Sequence, residues 1–331
     1  MNNFFDIKNT FLNLIQKTYP YGKEKEILSY LPKLDKDEYN NYYLIIGDNK
    51  PKTMLTSHLD SACSEQVKVN YHIITDENGD ELVYTDRKSI LGADDKAGVT
   101  LMLYMIANKI PGLYYFFIGE EYGRIGSIDL VNNFNNIEHL SNINKCISFD
   151  RRGLNSIITK QLGDRCCSDQ FADSLANEYK KNGINMSKDN TGIYTDSASF
   201  MLKIPECTNI SVGYYNEHTT NEYQNLTFLE KLCKVSVKIN WESLTINRKL
   251  NIIDETSNKI IRELKHNIID SKYILYTEIT DNNIWVKFYL THYDLTTSIY
   301  IINDISNILK KYNIKEDFII DDDDLLKIKL R

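Results

Sequence analysis
The sequence predicts an α/β fold, a mostly parallel central sheet with helices on both faces in residues 1–247, followed by a small α+β domain in residues 248–331. Three observations predict it. Apolar runs without polar alternation, such as YYLIIG (42–47), GLYYFFIG (112–119) and KCISFD (145–150), alternate with segments of helical periodicity, as strands buried on both faces do. Histidines and carboxylates gather where those runs stop. After about residue 247 the order becomes helix, two strands, helix, two strands, a unit of ordinary domain size.

Taken in order, residues 1 to about 35 read as two helices broken at Tyr19-Pro20-Tyr21-Gly22, the second from Lys23 to Leu34. Strands follow at 42–47 and 52–60, then an inserted hairpin over 67–87 turning at Asn78-Gly79. KAGVTLMLYMIANK (96–109) is helical, 112–121 a strand, about 127–136 a helix, 145–150 a strand, 168–182 a helix and NISVGY (209–214) a strand. A long helix is expected from about 222 to 244. In the tail, a helix (254–265), strands YILYTEI (273–279) and IWVKFYL (284–290), a helix from Asp294 to about Tyr312 and a hairpin around Asp321–Asp324 complete the pattern, the aspartate run reading as a solvated turn.

Composition narrows the function. At 331 residues, 42% hydrophobic and 26% charged, the chain is long enough for one large and one small domain or for two ordinary ones. A net charge of −7 argues against a nucleic-acid partner, since phosphate binding needs a basic face. No apolar run approaches the ~20 residues of a membrane span. The opening MNNFFDIKNTFLNLIQK lacks a basic lead before an apolar core, so no signal peptide is expected and the cytoplasm is the expected location. The six cysteines show no CxxC spacing, which predicts neither a zinc ribbon nor a disulfide framework.

The strand ends carry the chemistry. TSHLDS places His58 and Asp60 two apart, on one face of an extended segment, so the carboxylate can fix the tautomer of the imidazole. ILGADDKAGV sets Asp94 and Asp95 side by side before a helix; one aspartate suffices to cap it, and the second needs another reason. Glu120 and Glu121 follow a buried strand and Asp150 ends another, costly placements unless something positive compensates them. His218 lies in a late strand-to-helix loop. In open α/β sheets ligands sit at the carboxyl ends of the strands. His58, Asp94, Glu121, Asp150 and His218 are one donor more than a tetrahedral zinc accepts, but enough for two metals if one carboxylate bridges.

The ordered set H-x-D, G-A-D-D-K-A-G, G-E-E-x-G-x-x-G-S, F-D and a late H-T, spread over roughly residues 1–245, resembles the co-catalytic two-zinc aminopeptidases and the related carboxypeptidases and deacylases. The resemblance implies one divalent metal on His58, Asp94 and Asp150 and a second on Asp94, Glu121 and His218, zinc being the expected species. It makes Asp94 the bridge, Glu120 the general base that activates a water shared by the metals, and Asp60 the partner of His58. It also implies a cis Asp94–Asp95 peptide and leaves Asp95 to hold the turn or cap the helix. The strand should end or twist at Gly119, so that Glu120 and Glu121 can take separate tasks. The short stretches 59–93 and 151–217 leave no room for the lid, dimerisation or β domains that some relatives insert. YTDSASF also resembles a Thr-Asp-Ala segment near the site in some members, which makes Asp196 a candidate for contact with substrate or for support of the metal donors. Arg151, for gripping substrate, and Tyr214 and Tyr215, for an oxyanion, are candidates too; Arg151 and Arg152 can instead neutralise neighbouring carboxylates, and the tyrosines can simply pack. His72, His139, His266 and His292 fit no ligand position and are expected at the surface. The expected activity is removal of amino-terminal residues from a peptide or small amide, with carboxypeptidase or N-acyl amino-acid deacylase chemistry the alternative and a non-catalytic binding role the remoter one. Homo-oligomerisation is left open.

Overall fold
In the computed structural model, which describes residues 5–48 and 50–250, then residues 260, 303 and 305–312 and the backbones of 275–280, 283–289, 318–320 and 325–329, Asp6 opens the chain's first helix. Its carboxylate accepts from Asn9 N at 2.9 Å, supplying one of the donors' partners that a helix start lacks. Helix α1 (Ile7–Leu14) then buries Ile7, Phe11 and Leu14 along one stripe. The expected second helix is only a 3₁₀ segment, Glu24–Tyr30.

Strands β1 (Asp35–Lys36), β2 (Tyr42–Ile46) and β3 (Thr53–His58) are followed by the hairpin β4 (Tyr71–Thr75) and β5 (Glu81–Thr85). The hairpin turns as expected around Gly79, whose φ of +85° suits a residue without Cβ. Asp76 Oδ1 gathers the amides of Asn78 and Asp80 beneath it. Helix α2 (Ala93–Ala107) follows, then β6 (Gly112–Phe117), α3 (Ile125–Asn132), β7 (Lys145–Arg151), β8 (Ser156–Ile158) and the short pair β9 (Lys160–Gln161) and β10 (Asp164–Arg165). Helix α4 (Asp169–Lys181), β11 (Ser187–Asp189), α5 (Asp196–Ser199), β12 (Glu206–Ser211), β13 (Tyr214–Tyr215), β14 (Tyr223–Asn225) and α6 (Leu226–Ser236) complete this part.

The main sheet has the order β1-β2-β6-β3-β7-β12-β8-β11. Its centre, β6, β3, β7 and β12, is parallel, and antiparallel pairs occur at β1/β2, β2/β6 and β12/β8. The fold class is the expected one. Strands β3, β6 and β12 are buried at every position, which is why their sequences lack polar alternation. Helix α2 packs on β3 and β7 and is buried over nearly its whole circumference. A Cβ on Gly98 would stand 2.1 Å from Phe149 O, so only glycine lets this helix start so close to the sheet.

A second, antiparallel sheet has the order β13-β14-β5-β4. It corrects one expectation: 223–225 is not the start of a long helix but the strand on which the hairpin docks. Helix α6 starts only at Leu226, where Asn225 Oδ1 caps Phe228 N at 2.8 Å, and it ends at Ser236. Beyond it Trp241 is buried, edge-on to Phe149 with ring centres 5.7 Å apart and its Nε1 on Ser236 O at 3.0 Å.

The chain divides into two compact units, Met1–Gln161 with Arg165–Arg248, and Leu162–Asp164 with Lys249–Arg331. The second contains an antiparallel sheet of β15 (Leu275–Thr280), β16 (Asn283–Tyr289), β17 (Phe318–Ile320) and β18 (Leu325–Lys329), in the order β15-β16-β18-β17. These agree with the strands read from the sequence. Most of the helix expected at 254–265 and the run Asp321–Asp324 lie outside the described residues.

Candidate metal centre
The carboxyl ends of the central parallel strands bring the sequence-selected residues together. His58 ends β3 and Asp150 lies near the end of β7; Asp94 begins α2, Glu121 follows β6, and His218 lies between β13 and β14. Among the described residues, two groups of donor atoms each lie within 4.8 Å of one another: His58, Asp94 and Asp150, and Asp94, Glu121 and His218. Asp94 belongs to both. Its Oδ1 is 3.0 Å from His58 Nε2 and its Oδ2 is 3.1 Å from His218 Nε2, so one carboxylate faces an imidazole on each side. His58 Nε2 is also 3.7 Å from Asp150 Oδ1, and His218 Nε2 is 3.0 Å from Glu121 Oε1.

Asp60 organises the back of this cluster. It is fully buried, and its two oxygens accept from Glu120 N and Glu121 N, each at 3.0 Å. Its Oδ1 stands 3.3 Å from His58 Nδ1, too poorly aligned for a full hydrogen bond. Strand β6 stops at Phe117 and Gly119 adopts a φ of +61°, as the two adjacent glutamates require. A Cβ at Gly119 would also strike the Tyr21 ring at 2.8 Å. Burial opposes the charge on Asp60, but His58, Lys96 and the Glu120 amide outweigh it and hold the carboxyl below its usual range.

The Asp94–Asp95 peptide is cis, as the resemblance implies. Asp95 is wholly buried and turns away from the donor groups. It accepts from Gly98 N at 3.1 Å, Ser57 Oγ at 2.5 Å and His58 N at 3.3 Å, so it caps the helix and fastens it to the strand bearing His58. Burial and the neighbouring Asp150 push its carboxyl well above the usual range.

Asp150 is held from every side. Tyr214 OH donates to its Oδ1 at 3.0 Å and Thr195 Oγ1 to its Oδ2, while Asn209 accepts from its amide at 2.9 Å and donates to its carbonyl at 2.7 Å. Tyr214 is therefore committed to a carboxylate. Strand alternation turns Tyr215 to the opposite face, where it stacks on Tyr223 at 5.0 Å, with Tyr84 and His72 continuing the ladder. Arg151 is committed to Asp189 and Thr191, and Arg152 to Glu217, on the wall of a groove of about 680 Å³ beside the His218 loop. Asp196, at the start of α5, is buried with Oδ1 lacking a hydrogen-bond partner, and burial pushes its carboxyl up to about 7. His139 is not a surface residue: it is half-buried, stacked 4.6 Å from Tyr43 and bonded to Tyr115 OH at 3.1 Å. His266 and His292 lie outside the described residues.

Charge is the dominant feature. Asp60, Asp94, Asp95, Glu120, Glu121, Asp150 and Asp196 crowd one neighbourhood, against the buried ammonium of Lys96, whose Nζ reaches Asp60 O at 2.8 Å. Burial, then mutual repulsion, raises Glu121 and Asp150 above the ordinary carboxylate range, and burial drives Glu120 further up, with Asp150, Asp196 and Glu121 adding to it. Glu121 Oε1 is buried without a hydrogen bond. An anionic cluster with an unsatisfied oxygen aimed at imidazoles fits divalent cations, which would neutralise it. Asn209, Thr195, Lys96 and Glu222 were not selected from the sequence. Their roles rest on contacts with distant loops, and only the placement of Lys96 directly after the paired aspartates gave a local signal.

No protein-family model matches the chain, and no curated protein matches it by sequence. Solved structures do match. An aminopeptidase of Bacillus cereus superposes with a TM-score of 0.57 at 18% identity, over 70% of this chain and 96% of its own. The two share a fold. A tripeptidase of Staphylococcus aureus gives a TM-score of 0.54 at 18% identity, with the same 70% and 96% coverage. A peptidase of Pyrococcus horikoshii, which assembles into a tetrahedron or an octahedral shell, gives 0.55 at 16% identity over 70% of this chain and 98% of its own. The fold shared with these structures covers about 70% of this chain.

Proposed function
We propose that this chain is a metal-dependent aminopeptidase that uses two divalent ions, zinc being the expected pair. The observation that carries the reading is Asp94, a single carboxylate with one oxygen 3.0 Å from His58 and the other 3.1 Å from His218, shared by two three-donor groups. His58, Asp94 and Asp150 would hold one ion, and Asp94, Glu121 and His218 the other. Bound ions of this kind acidify water and polarise a carbonyl oxygen.

The chain's own residues supply the rest. Glu120 is the general base: burial among carboxylates raises its proton affinity, so it takes a proton from the attacking water and returns it to the leaving amine. Asp60 fixes the backbone on which both glutamates stand and orients the His58 ring. Tyr214 and Thr195 hold Asp150 so that it need not reorganise. We further propose that residues 249–331 supply none of the donors; a chain ending at Arg248 that no longer binds metal would overturn this. A reducing, cytoplasmic setting is supported by six unpaired cysteines, five of them buried. Assembly into a homo-oligomer, as in the Pyrococcus peptidase, belongs to the same reading and is read by light scattering.

The deciding experiment is a panel of amino-acid anilides and short peptides with free or acetylated amino termini, run with and without chelator. Hydrolysis of free but not blocked substrates, abolished by chelation, is expected. Preference for acetylated substrates, or activity indifferent to chelator, overturns the reading. Glu120→Gln should keep metal and lose about 10²–10⁴-fold in kcat; a loss of only a few-fold removes Glu120 from the role of base.

A further inference from the structure
Glu222 is buried four residues beyond His218, and its carboxylate closes on the loop that carries Asp94. Its Oε2 accepts from Leu91 N and Gly92 N, both at 2.8 Å, and its Oε1 from Asp94 N at 3.1 Å. These amides converge because Gly92 takes a φ of +73°, making a concavity of N–H groups that suits an anion. On its other side Glu222 N donates to Thr219 O at 3.1 Å, and Thr219 Oγ1 donates to Asn216 O at 2.7 Å. His218 and Glu222 therefore stand on one hydrogen-bonded loop.

We infer that Glu222 is a positioning residue for the metal pair, fixing the bridging Asp94 against the loop of His218 and so setting the spacing of the second donor group. The inference rests on the reading above. Asp94 and His218 come from segments far apart in sequence, and Glu222 ties the two segments directly through protein hydrogen bonds. The simpler account is that Glu222 only satisfies buried amides. Glu206 offers the control. It too is buried and accepts from Ser168 N, Asn247 N and Arg248 N, each at 2.7 Å, but none of those amides belongs to a proposed metal donor.

The test compares Glu222→Gln with Glu206→Gln in the full chain. Each replaces an accepting oxygen by an amide that faces N–H donors. Zinc affinity is measured by competition with a chromophoric chelator, beside melts of the metal-free proteins. Both variants should melt lower. Only Glu222→Gln should lose affinity for at least one ion, by about 10–100-fold as for other residues that orient metal donors, whereas Glu206→Gln stays within about twofold of wild type. Should Glu222→Gln fail to fold, Glu222→Asp withdraws the carboxylate by one methylene and is expected to show the same selective loss. Unchanged zinc affinity in the Glu222 variant, or an equal loss in both, overturns the inference alone. A wild-type chain that binds no zinc overturns the metal reading itself.

Discussion

The two donor groups that share Asp94 are built very differently. On one side His58 is 1% exposed and Asp150 is bound by Tyr214, Thr195 and Asn209. On the other, His218 is 45% exposed in a loop with a φ of +64°, and Glu121 keeps a buried oxygen without a hydrogen bond. In the proposed centre this contrast would assign affinity and access to different halves. A donor group fixed before binding loses little freedom when an ion arrives, whereas one on an exposed loop must order itself and can yield to an incoming group. The ion on His58 and Asp150 should therefore be the tighter and the ion at His218 the more exchangeable.

The most damaging change should be Asp94→Ala, because Asp94 belongs to both halves. Both ions are expected to be lost together, with hydrolysis falling below detection. Elemental analysis showing one ion still held at wild-type affinity would mean that the halves are independent. A smaller and one-sided effect is expected from Tyr214→Phe, which deletes only the hydroxyl that orients Asp150. It should weaken the tighter ion by about 10–100-fold and leave the other unchanged. Stepwise chelation followed by calorimetry reads this, and a loss confined to the weaker ion would reverse the assignment.

The smallest effect concerns protons. In the metal-free chain the Asp94 and Glu121 carboxylates beside His218 raise its pKa to about 11, partial burial opposing them, against about 6.5 when unfolded. The stabilisation from this pairing is thus fully present below about pH 6.5 and is lost as pH rises through about 11. Melts of chelator-treated protein between these limits should show a decline that His218→Gln removes. Parallel curves for the two proteins would show that the exposed half is not organised by charge.

The candidate donors stand out in the sequence because their placement is costly. A carboxylate at the end of an all-apolar strand, as at Glu121 or Asp150, asks for a compensating charge, and these two in order with His58, Asp94 and His218 leave few explanations. The parallel sheet was legible for the related reason that strands buried on both faces cannot alternate. What the sequence did not disclose was support. Glu222, Thr195 and Asn209 act on backbone or carboxylate groups brought near only by folding, and no spacing encodes that. The hydroxyl makes Tyr214 a candidate in the sequence, yet only the structure shows that hydroxyl directed to Asp150. The strand Tyr223–Asn225 reads in the sequence as part of a longer helix because three residues give too short a pattern to oppose helical periodicity. Asn225, a strong helix-capping residue ahead of Leu-Thr-Phe, was the available signal for the true start.

The position of Trp241 has a practical consequence. It is buried against Phe149, whose neighbour in the chain is Asp150, while the other tryptophan, Trp285, belongs to the strand Asn283–Tyr289 of the second unit. Each unit thus carries its own intrinsic fluorophore. With Trp285→Phe the tryptophan emission reports only the unit that carries the proposed centre, and with Trp241→Phe only the C-terminal unit. Cooperative or sequential unfolding of the two can then be followed by light alone, without a label.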